Sequence, residues 1–314
     1  MKLKSGLVVG AIISGLAAGT AMAGDAKTVD KVGISVGTLG NPFYVATAEG
    51  ITSAAKALNP DVDITAVSAD YDLNKQLSQI DSFIGAGMQI MMIVPVDPQA
   101  SVPSVQKAKD AGLVVGAFDA VAPNADINVT TNNVRAGEIA CQYMADRLNG
   151  KGDVVIVNAI QVSAVVDRVN GCKSVLDKYE DINIIADQAS EGSRDTGMKV
   201  MQSLLTRFPH IDGVFALNDP AAIGADLAAK QLNRSEFFIV SVDGAPDVQK
   251  LLESGNTLIA ATAAQDPYAM AAKAFELAND VYQGKTLSET NVLMDPMLVT
   301  ADNVADYVGW EDER

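Results

Sequence analysis

The feature that most restricts the fold is an alternation that begins near residue 32. Short apolar, β-branched runs are separated by longer segments of helical periodicity. A first series of runs comprises Val32–Val36, Val62–Ala66, Ile90–Val94 and Leu113–Phe118. A second comprises Val154–Val157, Ile182–Ile185, Gly213–Ala216, Phe238–Val242 and Leu258–Ala261. Near-continuous apolarity marks strands buried on both faces, as in parallel sheets covered by helices. Between the runs, Thr47, Ile51, Ala54 and Leu58 recur at helical spacing after Pro42, which predicts a helix over Pro42–Leu58. A second helix is predicted over Asp266–Gln283, stopping before Gly284. Repeated βα units give an open, doubly wound α/β sheet. Nine strands are too many for one comfortable sheet, and the two series meet at the polar stretch Asn128–Val134. Two Rossmann-like lobes facing a shared cleft are therefore expected, with ligands held beyond the carboxyl ends of the strands.

The N-terminus reads as a targeting segment. Lys2 and Lys4 precede an apolar run from Leu7 to Ala18, which closes on Ala21-Met22-Ala23. The run is shorter than the roughly 20 apolar residues a membrane span needs, and no Cys follows it for lipid attachment. A signal peptide over residues 1–23 and export to the periplasm are expected. Cleavage removes two lysines and deepens a formal charge that is already −16. Such acidity argues against nucleic acid, which needs clustered Lys and Arg. A single histidine, His210, leaves almost no room for His-ligated metals or Ser-His-Asp chemistry, so no metal, cofactor or enzymatic activity is expected. Cys141 and Cys172, an even count in an exported chain, favour a disulfide over two free thiols.

Polar residues cluster where strands end: Asn41, Asp97, Asp119, Asn218 with Asp219, Asp243, and Gln265 with Asp266. Each alone is explained by helix capping or turn formation. Together with Arg168 and the aromatic pair Phe43 and Tyr44, they form what a sugar or polyol site needs. Planar carboxylates, amides and guanidinium engage adjacent hydroxyls, and an aromatic face covers the ring. So many buried polar groups are tolerable only if the ligand satisfies them, which links binding to closure.

The stretches Gly40-Asn41-Pro42-Phe43-Tyr44, Val94-Pro95-Val96-Asp97, Asn132–Gly137, Asp167–Gly171, Val200–Leu205, Ala216–Asp219, Val242–Asp247 and Ala263–Gln265 resemble, in order and spacing, a known family. It is the ribose-binding-like (type I) branch of periplasmic solute-binding proteins, the receptors of bacterial ABC sugar importers. The resemblance covers essentially the whole mature chain. It implies first-lobe ligands Asn41 and Asp119 with walls Phe43 and Tyr44. It also implies a second-lobe set of Arg168, Asn218, Asp243 and Gln265, and a contact at Thr131. Three crossings between lobes, near Thr131, Gln265 and Asp295, would divide the chain into residues 24–131 plus 266–294 and residues 132–265 plus 295–314. The implied partners are a small sugar or polyol and an ABC permease, with a chemoreceptor as a further candidate and a monomeric state. Ala120, Val94, Gly192 and Val242 depart from the ribose pattern by losing an Arg, a polar residue and two aromatics. A larger, more acidic cleft is expected, suited to a hexose, cyclitol or sugar alcohol rather than ribose.

Other motifs fail. Asp181-Ile182-Asn183 lacks the later ligands and glycine of a calcium loop, and Gly37–Gly40 lacks the Lys-Ser/Thr ending of a P-loop. Three alternatives stand beside a transport receptor. A repressor core of the same fold would need an N-terminal helix-turn-helix in place of the signal. An exported carbohydrate enzyme would use Asp119 and Asp243 as paired carboxylates. A chemotaxis-only sensor would use the same cleft.

Overall fold

A computed structural model describes residues 27–159 and 163–311; the signal peptide expected over residues 1–23 lies outside the described residues. Two six-stranded sheets carry the fold. The first is built from β1 (Lys31–Val36), β2 (Asp63–Ser68), β3 (Ile90–Ile93), β4 (Val114–Phe118), β5 (Ile127–Thr131) and β11 (Asn291–Met294), in the order β11-β5-β4-β3-β1-β2. The second contains β6 (Lys151–Asn158), β7 (Asp181–Ala189), β8 (Gly213–Ala216), β9 (Phe238–Asp243), β10 (Ile259–Ala264) and β12 (Met297–Thr300), in the order β12-β10-β9-β8-β6-β7. All pairings are parallel except β10 with β12. Strands β3 and β8 are buried at every position, as their unbroken apolarity requires. Hydrophobic clusters lie on both faces of each sheet.

The helix expected over Pro42–Leu58 forms with those bounds (α1), capped by Asn41. The one expected over Asp266–Gln283 forms as α9 (Pro267–Tyr282), with Asp266 accepting from Ala269 N–H as its N-cap. The stretch Asn128–Val134 does carry a passage between the two sheets, but its first half is also an unforeseen strand, β5, buried throughout and flanked by β4 and β11. The buried polar groups are satisfied: Asn128 Nδ2 donates to Asn291 Oδ1 on neighbouring β11 at 3.1 Å, and Thr131 Oγ1 donates to Gln265 Oε1, just beyond β10 of the other sheet, at 2.7 Å. Strands β11 and β12 also escape a search for apolar runs, being four residues each and half-exposed.

The chain passes from one sheet to the other after β5, after β10 and between β11 and β12. Two of these crossings are tied directly, since Asn132 Nδ2 donates to Asp295 Oδ1 at 2.8 Å. Within the second sheet's layer, α4 (Asn133–Arg147) and α5 (Ser163–Leu176) cross at backbone contact. A Cβ on Gly137 would lie 1.9 Å from Arg168 O, and one on Gly171 would lie 2.1 Å from Val134 O. Cys141 and Cys172 are joined across the same helix pair, with Cα atoms 5.0 Å apart. Helix α5 carries Arg168, so this crossing sets where its guanidinium starts.

Gly137→Ala must push α5 away by backbone movement, because the obstructing atom is a carbonyl oxygen. Urea denaturation should show a loss of about 1–3 kcal/mol or more, the usual cost of overpacking. An unchanged midpoint would contradict the close crossing.

Candidate functional site

The strands deliver polar residues to one cavity of about 490 Å³ between the sheets. From the first sheet come Asn41, Phe43 and Tyr44, just after β1, and Asp119, just after β4. From the second come Asn218 after β8, Asp243 at the end of β9, and Gln265 after β10. Two predicted residues do not line the cavity. Thr131 and Arg168 stand behind its wall and act through Gln265 and Asp243. Asp97 is a local turn residue, its Oδ1 accepting from the N–H groups of Gln99 and Ala100.

Capping and cavity lining turn out to be compatible at the same residue. Asn41 Oδ1 accepts from Phe43 N–H at 3.0 Å, which leaves its amide nitrogen without a partner among the described residues. Asn218 Oδ1 accepts from Ala221 N–H at 3.0 Å while Nδ2 donates to Gly192 O at 2.9 Å. The caps therefore fix the amides at the mouths of α1 and of α7 (Asp219–Gln231), where N–H dipoles already face the cavity.

The second-sheet floor is a network around Asp243. Its Oδ1 accepts from Arg168 Nη1 at 2.9 Å and from Gln265 Nε2 at 2.8 Å. Arg168 also donates through Nε to Asn133 Oδ1 at 2.8 Å and through Nη1 to Leu217 O at 3.1 Å. Behind this layer lies Asp219, fully buried, accepting from Ser241 Oγ, Thr262 Oγ1 and Ala245 N–H. Burial raises the pKa of both Asp219 and Asp243, with mutual repulsion adding to Asp219, while Arg168 pulls Asp243 back down. Across the cavity, Tyr44 Oη donates to Asp119 Oδ2 at 3.4 Å. Burial pushes Asp119 up to about 6, opposed chiefly by Arg168. Burial, with Asp119 next, raises the Tyr44 phenol.

Both strand-end carboxylates that face the cavity sit in backbone conformations that side chains avoid. Asp119 has φ 65° and Asp243 has φ 141°. Such strain costs on the order of 1–3 kcal/mol per residue and persists only where the surroundings over-determine it.

The apolar part of the wall includes Phe43, Pro220, Ile223 and Trp310. Trp310 was not anticipated. It lies in a tail expected to belong wholly to the second lobe, yet it packs edge-on against Phe43 with ring centroids 5.3 Å apart. The only sequence signal was its being the single tryptophan of the chain. Of the four departures from the ribose pattern, Gly192 does line the cavity, whereas Val242 does not. Val242 is wholly buried in the core beside Cys141 and Cys172, so it opens no space in the cleft. Strand parity explains the error: Val242 points into the α4–α5 layer.

A family model described as a periplasmic binding protein domain matches residues 32–286. The chain belongs to the periplasmic binding protein family. It is 32% identical over 308 residues to the xylitol-binding protein of Mycolicibacterium smegmatis, covering 96% of this chain and 86% of that one. It is 30% identical to the ribose import binding protein RbsB of Escherichia coli, covering 87% of this chain and 92% of the relative. Among solved structures it resembles an arabinose-binding protein from Geobacillus stearothermophilus, with TM-score 0.81 and 24% identity over 89% of this chain and 99% of the other. It also resembles an ABC transporter solute-binding protein from Bacillus halodurans with bound myo-inositol, with TM-score 0.78 and 23% identity over 90% and 98%. The two-lobed type I fold of this periplasmic binding protein is thus supported from sequence and shape together.

The raised Asp119 carboxyl has a consequence for stability. Its folded pKa lies above the unfolded value near 3.9, so its favourable contribution is complete below that value and is lost as pH rises through about 6. Asp119→Asn should therefore stabilise the ligand-free protein at pH 7, by about 3 kcal/mol, with the gain vanishing near pH 4. Denaturation midpoints measured between pH 4 and 7 check this. Arg168→Met should do the opposite, costing about 3–5 kcal/mol at neutral pH by leaving buried carboxylates without their cation.

Proposed function

We propose that this protein is an exported receptor of an ABC transporter, binding a neutral sugar or polyol in the interlobe cleft and delivering it to a membrane permease. One observation carries the reading. Strand-end carboxylates from two different sheets, Asp119 and Asp243, line a single cavity together with the amides of Asn41, Asn218 and Gln265, aromatic and aliphatic surface, and the charged rim residues Arg194, Asp247 and Glu311. Arg168 is already committed to Asp243, and Arg194 at the rim is paired with Asp247 at 2.7 Å. The cleft therefore offers acceptors to hydroxyl donors, while anions such as sugar phosphates meet carboxylates without a spare cation. The named ligands of the relatives, xylitol, ribose and myo-inositol among them, belong to this neutral polyhydroxy class.

The same site suits a receptor better than a hydrolase. Asp243 Oδ1 is held by two donors and Asp119 by Tyr44, the setting of hydroxyl acceptors rather than of a free nucleophile and acid. Lobes of residues 24–131 plus 266–294 and 132–265 plus 295–314 agree with the strand membership of the two sheets, and a signal peptide over residues 1–23 agrees with the family's extracytoplasmic setting. The receptor works as a monomer, and a chemoreceptor is a second candidate partner for the closed form. Ligand contacts are assigned to Asn41, Phe43, Tyr44, Asp119, Asn218, Asp243 and Gln265, with Arg168 and Thr131 holding them in place.

A thermal-shift and calorimetric panel of myo-inositol, xylitol, D-allose, D-ribose, a sugar phosphate and amino acids tests the assignment. A neutral sugar or polyol should stabilise the protein, as any ligand selective for the folded state does. Asp243→Asn should weaken it by about 10-fold or more, the loss of one charge-assisted hydrogen bond. Recovery of the bound sugar unaltered is expected; stabilisation by amino acids alone, or a cleaved sugar, would overturn the reading.

The bond between Cys141 and Cys172 is proposed to form in the exported protein. It closes a loop of 31 residues in sequence separation. Cys141→Ser with Cys172→Ser should lower stability by about 3–4 kcal/mol. Mass spectrometry after alkylation of the unfolded, unreduced protein should find neither thiol modified.

A further inference from the structure

The chain does not end at its last strand. Beyond β12 a 3₁₀ turn, Val304–Asp306, leads into Tyr307, Val308, Gly309 and Trp310. Tyr307 is fixed to the second lobe. Its Oη donates to Gly244 O at 2.9 Å, one residue beyond Asp243, and its ring belongs to the core cluster under β8 and β9. Gly244, at φ 75°, accommodates this contact because a Cβ there would lie 2.5 Å from Tyr307 Oη. Three residues later the tail is fixed to the first lobe. Trp310 is 7% exposed, sits in the core cluster that contains Phe43, and donates from Nε1 to Gln265 O at 3.1 Å beside the second crossing.

Trp310 also lines the cavity. Its one polar atom is spent on Gln265 O, so the surface it can offer a ligand is carbon alone. That is the chemistry of a platform for the C–H face of a sugar ring or polyol chain. Gly192, where the ribose pattern has a ring, lines the same cavity.

We propose that residues 307–310 form an interlobe strap in which Trp310 is both an apolar wall of the ligand site and a latch whose seat against Phe43 exists only when the lobes are closed. The inference rests on the sugar-or-polyol reading above. Chain geometry supplies the latch: three residues reach roughly 10 Å between Cα atoms at full extension. With Tyr307 held by the second lobe, the first lobe cannot swing far unless Trp310 leaves Phe43. Ligand contact with the indole and retention of its seat are therefore coupled.

As the single tryptophan, Trp310 reports on itself. Calorimetry with myo-inositol, xylitol, D-allose and D-ribose first identifies a ligand of the wild type. Titration of that ligand should then change tryptophan emission, with a shift to shorter wavelength as water leaves the indole, and with the calorimetric Kd. Trp310→Ala should weaken binding by about 10-fold or more, and Trp310→Phe should restore most of it because a ring and an apolar surface remain. Binding in the wild type with silent emission, or an unchanged Kd in Trp310→Ala despite lower thermal stability, would overturn the strap while leaving the receptor reading intact. Absence of binding by all four compounds in the wild type would overturn the receptor reading and the strap with it. Should Trp310→Ala fail to fold, the wild-type titration and Trp310→Phe decide the matter.

Discussion

The site depends on the buried pairing of Arg168 with Asp243. A guanidinium 9% exposed and a carboxylate 14% exposed, 2.9 Å apart, are costly to desolvate and are held only because every neighbouring group answers them. Asn133 and Leu217 supply acceptors to the cation, and Gln265 and the Asp219 N–H supply donors to the anion. Through these bonds one ion pair gathers α4, α5, β8, β9 and the end of β10. Thr131 extends the chain to the first sheet by fixing Gln265. The second-lobe floor is thus preorganised before a ligand arrives, and it abuts a crossing between the lobes.

Electrostatic balance in the cleft is deliberately incomplete. Asp119 and Asp243 share the field of Arg168, Asp219 feels the charge of Asp243, and burial raises the pKa of all three. Part of the fold's stability is given up at neutral pH to keep carboxylate acceptors facing the cavity. Hydroxyl donors recover it, because hydrogen bonds to a carboxylate favour its ionised form. Under the proposed function, selectivity for neutral polyhydroxy compounds and the linkage of binding to closure would have the same origin.

The architecture was legible where burial on both faces leaves a strand no polar choice, as at Ile90–Ile93, and where caps punctuate helices, as at Asn41 and Asp266. It was obscured where polar residues are buried in pairs. Asn128 and Thr131 hide β5 as a strand, because the partners that let them be buried, Asn291 and Gln265, lie 163 and 134 residues away. The cavity-lining residues were found because strand ends converge in this topology. Whether a side chain lines the cavity or braces one that does, as with Arg168, depends on helix crossings that sequence spacing does not record. Trp310 was missed because a tail's path over a cleft follows from neither periodicity nor capping.

Each lobe is clamped by helices that touch through backbone atoms. Besides Gly137 and Gly171, a Cβ on Gly50 would lie 2.2 Å from Tyr268 O, and one on Gly224 would lie 2.2 Å from Arg194 O. Contacts of this kind have no side-chain rotamers to absorb displacement, so each lobe is built as a stiff plate and the three crossings are the places left to deform. On the proposed function, a membrane partner touching both plates at their outer edges would meet ligand as a change in angle, undamped by the material between, and would register occupancy without reaching the cleft.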